Sequence, residues 1–160
     1  MAKEKREQSS NGELVAAMNA AYRPIMTFME QAHRQEHRFE KKYGYGKLQS
    51  RFDKLNGCAR KWRRKILDRI EEFGGEVDSA MDPIKVSDDV ATAYSDTLES
   101  LDSIYSALKQ AVAVAMGSND HPSTVMLMKI QKKVDSKIKD YEKHQRMAAD
   151  LGPNYLLTLT

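Results

Sequence analysis

Glu30-Gln31-Ala32-His33, with His37 one turn on and Glu40 close behind, sets carboxylates and imidazoles at helical spacing. Carboxylate oxygens and neutral imidazole nitrogens together suit a divalent transition ion. At about 100° per residue, Glu30, His33, His37 and Glu40 fall within one sector of a helix. Two imidazoles make a thin ligand set, however, and Glu30 and His37 point away from the apolar neighbours Ile25, Phe28 and Ala32. A solvated face is the simpler reading. A metal held here would sit at the surface or between subunits.

Positive charge is the second recurring chemistry. Arg60, Lys61, Arg63, Arg64 and Lys65 crowd one stretch, and Lys129, Lys132, Lys133, Lys137 and Lys139 form another. Such runs neutralise phosphates, and the basic start (Lys3, Lys5, Arg6) adds to them. Yet Asp68, Glu71, Glu72, Asp135 and Asp140 stand at pairing distance along the same helices, and 26 basic against 23 acidic side chains leave a net charge of only +3. Solubilising faces explain the runs more simply than nucleic-acid binding. Cys58 has cations nearby but no His or second Cys placed to make it a nucleophile. Met126 and Met128 read as core filling or a subunit contact. Serine-triad, phosphate-loop and zinc-finger patterns are absent.

The elements that carry these residues are helical. A composition 41% hydrophobic and 31% charged, with 8 Gly and 4 Pro, fits an all-α domain of ordinary size. The lone cysteine excludes an internal disulfide, and the opening residues lack the charged-then-apolar layout of a leader, so a reducing cytoplasm is expected. No apolar run approaches the roughly 20 residues that span a bilayer, so no membrane partner is expected.

Residues 1–10 are polar and read as a flexible arm; residues 11–151 read as the bundle. Leu14, Met18, Ala21, Ile25, Phe28, Ala32 and Phe39 stripe a first helix, in which Pro24 predicts a kink. Tyr43-Gly44-Tyr45-Gly46 predicts a reversal. A second stripe runs Leu48, Phe52, Leu55, Ala59, Trp62, Ile66 and Phe73, and Gly74-Gly75 stops it. Glu76 to Val86 has no period and reads as a crossover of about 12 residues, longer than the usual bundle loop. Ser87 is the expected cap of a third helix (Tyr94, Leu98, Leu101, Tyr105, Leu108, Val112, Ala115) and Ser123 that of a fourth (Leu127, Ile130, Val134, Ile138, Tyr141, Ala148). Residues 152–160, after Gly152-Pro153, are too apolar for free coil and read as a docking tail or short fifth helix.

Four helices joined by short loop, long crossover and short loop have the connectivity of the ferritin-like bundle. Leu67-Asp68-Arg69-Ile70-Glu71-Glu72-Phe73-Gly74-Gly75 resembles the end of the second helix in bacterioferritins. Gly12-Glu13-Leu14-Val15-Ala16 is similar to the start of their first helix, and Leu151-Gly152-Pro153-Asn154-Tyr155-Leu156 to their join with a short fifth one. The resemblance implies a di-iron centre built from a Glu on each of two helices and a Glu-x-x-His on each of the others. Carried over residue by residue, those positions fall on Glu13, on Ala59 and Trp62, on Leu101, and on Val134 and Lys137; only Glu13 has the right chemistry. The haem-ligating Met falls on Arg60. The resemblance therefore implies a degenerate centre without iron or haem cofactors, in a subunit acting structurally. Its partners would be copies of itself, as a dimer or larger, or another ferritin-like subunit, with Tyr43, Tyr45, Tyr155 and Leu157 as candidate contacts. An iron-binding protein with a relocated site, and a helical module for nucleic acid or an acidic protein, are the alternatives.

Overall fold

The computed structural model describes residues 1–159, with side chains for all of these except residues 3 and 5–10. Four long helices, α1 (Ala2–Arg38), α2 (Gly46–Glu72), α3 (Val90–Gly117) and α4 (His121–Leu151), are followed by the short α5 (Pro153–Leu157). The predicted stripes face inward almost without exception. Met18, Ile25, Phe52, Ile66, Leu101, Leu108, Leu127 and Val134 are all sealed from solvent. This burial is what holds helices whose individual propensities would not suffice. α1 runs unbroken through Pro24 and its backbone begins at Ala2, continuous with the polar arm.

A π turn (Phe39–Tyr43) ends α1, and Gly44, at φ +66°, reverses the chain. Gly74 performs the same left-handed stop after α2 at φ +67°. At Gly75 a Cβ would meet Val15 Cγ1 at 2.7 Å, so the crossover starts by pressing against α1.

That crossover, residues 73–89, is held by a ladder on α1 with a rung every fourth residue: Asn19, Arg23, Thr27, Gln31 and Gln35. Asn19 donates to the Glu76 carbonyl and accepts from the Asp78 amide, both at 2.8 Å. Arg23 pairs with Asp82 at 2.8 Å, and the Asp82 amide donates to the Thr27 hydroxyl at 3.0 Å. Gln31 accepts from the Lys85 amide at 2.9 Å. Gln35, 2% exposed, accepts from the Ser87 amide at 2.9 Å and donates to the Ser87 carbonyl at 2.7 Å. Asn19, Thr27, Gln31 and Gln35 satisfy backbone groups that an extended segment on a helix would otherwise leave unpaired, and Arg23 adds a charge pair.

Two predicted caps shift for related reasons. Gln35 claims the backbone of Ser87, so the cap of α3 is Asp89, which accepts from the Thr92 amide at 2.9 Å. Asp120, not Ser123, caps α4, accepting from the Ser123 amide at 2.9 Å. Ser123 is wholly buried, and its hydroxyl receives Arg69 Nε at 2.8 Å. Asp120 also holds Arg69, at 3.1 Å. Burial pushes the Asp120 carboxyl up, but its bonds to Ser123 and the Arg69 charge outweigh this and hold it below the ordinary range.

α1 packs on α2 and α3, and α3 on α4; α2 and α4 face each other across a looser seam. α5 folds back so that Tyr155 and Leu159 are buried, which answers the apolar tail.

Candidate functional site

The bundle centre is the first place to look for chemistry. Ala59 and Trp62 on α2, Leu101 on α3 and Val134 on α4 are 0–2% exposed and belong to one continuous core. Lys137 does not join them: it is half-buried and opens onto the α2–α4 seam. Glu13, expected to project inward, is exposed, and Leu14 beside it takes the inward place at 1%. A helix cannot turn both neighbours to the core, since they lie about 100° apart, and the hydrocarbon one wins. Arg60 is exposed. Among the described residues, the buried side chains are hydrocarbon, aromatic or the thioether of Met18, joined by neutral Thr27, Gln31, Gln35, Asn56, Thr97 and Ser123.

Glu30, His33 and His37 line an open groove between the end of α1 and the crossover residues Ile84 and Val86. The Glu30 carboxylate is taken by Arg34 at 2.7 Å, and Glu40 lies 3.8 Å from Lys41. His33, His37 and Glu40 are exposed. The four residues share a surface but not a point: among the described residues no three His, Cys, Asp or Glu side chains are grouped to hold a metal. The groove is also rimmed by Arg34, Arg38, Lys41 and Lys42, whose charge opposes a cation.

The basic run of α2 splits. Arg60, Lys61, Arg64 and Lys65 are exposed, while Arg63 leans inward and its Nη1 reaches Met26 Sδ at 3.7 Å. On α4, Lys139 pairs with Asp135 at 2.9 Å, as the spacing predicts.

A polar cluster that sequence reading did not assemble lies where α2, α3, α4 and α5 meet. Arg51 Nη1 donates to the Tyr94 hydroxyl at 2.6 Å and to the Tyr155 hydroxyl at 3.0 Å. The Tyr141 ring stands edge-on to Tyr94, with centroids 5.8 Å apart, and His144 stacks against Tyr94 at 5.9 Å. Burial first, then the neighbouring phenols, pushes Tyr94 and Tyr141 well above the ordinary tyrosine range. Burial and the Arg51 charge push His144 down. The signals in sequence are an arginine directly beside the stripe residue Phe52 and two tyrosines, Tyr94 and Tyr141, on inward stripes. Tyr155, expected as a subunit contact, is 3% exposed and engaged within its own chain. Tyr43, which stacks on Tyr45 at 5.4 Å, and Leu157 remain exposed.

No helix among the described residues is long and apolar enough to cross a membrane. No protein-family model matches the sequence, and no curated protein matches it. Solved structures do. A Desulfovibrio desulfuricans bacterioferritin, described with its di-iron site in different catalytic states, superposes with a TM-score of 0.91 at 17% identity, over 96% of this chain and 90% of that one. Rhodobacter capsulatus bacterioferritin, described with a metal-free dinuclear site and a haem iron, gives 0.88 at 16% identity over 93% and 94%. A mycobacterial bacterioferritin gives 0.88 at 15% over 92% of each chain. By its helices, its single long crossover and its short fifth helix, the chain has the ferritin-like fold.

Proposed function

We propose that this chain is a structural subunit of ferritin-like fold whose centre is packed with hydrocarbon where a di-iron site would lie. In this reading it works in an oligomer of its own copies, or beside metal-bearing subunits. The observation that carries it is the chemistry of the interior. Ala59, Leu101 and Val134 offer no lone pair, the Trp62 indole N–H only donates, and the Lys137 ammonium repels a divalent ion. With Glu13 outside, these positions do not fit two irons, and the exposed guanidinium of Arg60 does not fit a haem iron. Shifting the register does not alter the conclusion, because the buried set holds no carboxylate or imidazole at any position among the described residues. An apolar layer of this kind would not compensate a divalent charge.

Anaerobic loading with ferrous iron followed by oxygen tests the centre: oxidation no faster than in buffer is expected, and rapid stoichiometric oxidation overturns the reading. Light scattering tests the assembly. A dimer or larger is expected, and a monomer alone at high micromolar concentration overturns that half. Iron storage through the surface sector of Glu30, His33, His37 and Glu40 has less support, since two of its four groups already face cations.

A further inference from the structure

The seam between α2 and α4 opens into a cleft of about 510 Å³. One face of each helix supplies a wall. Lys47, Arg51 and Lys54 stand at i, i+4 and i+7 on α2, and Lys137, Asp140 and His144 at i, i+3 and i+7 on α4. Four permanent positive charges therefore meet one carboxylate.

Some surface cations elsewhere are answered: Lys85 by Glu99 at 2.8 Å, Lys139 by Asp135 at 2.9 Å, Lys42 by Asp88 at 3.0 Å. None of the four in the cleft forms an ion pair among the described residues. Lys54 and Lys137 have no hydrogen bond or ion pair among the described residues. Lys47 reaches only the Thr158 carbonyl, at 3.3 Å. Arg51 is turned onto two phenol hydroxyls, neutral acceptors that fix its position without cancelling its charge. Uncompensated charges in a concave, partly apolar wall focus a positive potential outward. The cations on α2 alone span two turns, about 10 Å, more than one phosphate group can bridge. The half-buried His144 ring, edge to face at 5.7 Å with the buried Tyr141 behind it, adds a ring surface on the α4 side.

From this placement we infer that the α2–α4 cleft binds a small molecule carrying a chain of two or three phosphates, with Lys54 and Lys137 closing on it from opposite walls and Arg51 held behind them. The cleft has the size of a small-ligand site. Charge-assisted bonds from ammonium and guanidinium groups are the interactions that recognise such a chain.

Calorimetry on the full chain at physiological salt, with inorganic triphosphate, ATP and a single-stranded oligonucleotide as probes, tests this. One triphosphate per chain is expected, together with a shift of the His144 ring resonance. Equal affinity for triphosphate and ATP means that the phosphate chain alone is read; tighter ATP means that the ring surface reads the base as well. Lys54→Gln with Lys137→Gln should weaken binding about tenfold or more, the loss of two charge-assisted contacts. Lys129→Gln with Lys132→Gln, elsewhere on α4, should leave it unchanged. Both pairs alter side chains outside the core, and circular dichroism verifies that they fold. No binding, equal loss in the two double variants, or an oligonucleotide that binds more tightly than triphosphate and depends on the same lysines overturns the inference.

Discussion

The Tyr155 hydroxyl stands 2.7 Å from that of Tyr94, joining the last helix to the third across a buried contact. Arg51 donates to both, so one guanidinium and two phenols hold α5 against the bundle. Tyr155→Phe keeps the ring and removes the hydroxyl, leaving Tyr94 and Arg51 short of a partner. A loss of about 1 kcal/mol is expected in urea denaturation. Faster amide exchange confined to α5 should accompany it. Unchanged stability and exchange would mean that the hydroxyl contact does not anchor this helix.

Gln35 and Ser87 exchange a reciprocal pair of bonds that no aliphatic side chain can replace. Gln35→Leu fits the volume but orphans both the amide and the carbonyl of Ser87. The expected cost is roughly 2 kcal/mol. Limited proteolysis should then cut within residues 76–88 before any other segment, and an uncut crossover would show that the remaining rungs suffice.

Trp62 is 2% exposed and lies among the core helices. Trp62→His, which restores a metal-ligand type at this position, leaves a void and a polar ring in an apolar layer. A loss of roughly 3 to 5 kcal/mol is expected. A variant melting like the parent would place Trp62 outside the load of the core.

His144 provides a pH signature. Burial, Arg51 and Lys143 hold its imidazole below the ordinary 6.5, against the opposing pull of Asp140; Tyr94 and Tyr141 are the neutral groups against it. A folded pKa below the unfolded one means that, as pH falls through 6.5, the unfolded chain takes up the proton first and the native state loses ground. Thermal melts should therefore show the parent losing more stability than His144→Phe between about pH 7 and about pH 5. Asp120 acts in a separate window. Its carboxyl is held below 3.8, so its contribution is present above that value and disappears only in stronger acid. Parallel pH curves for parent and variant would refute the His144 assignment.

Periodicity alone determined the four long helices, the glycine reversals at Gly44 and Gly74 and the inward set from Leu14 to Tyr141, because each depends on chemistry within a few residues along the chain. It also placed Ala59, Trp62, Leu101 and Val134 among the core residues, which is why the ferritin-like likeness and the doubt about a metal centre were legible together. The tertiary structure decided the rest. Ser87 looked like a cap until Gln35, 52 residues away, took its backbone, and Ser123 until Arg69 reached its hydroxyl. Tyr155 looked like a surface contact until α5 folded it onto Tyr94. The α1 ladder and the α2–α4 cleft were invisible for the same physical reason. A polar side chain four residues from the next reads as a solvated face in sequence, and only the segment brought against it decides whether it faces water, a backbone or a ligand.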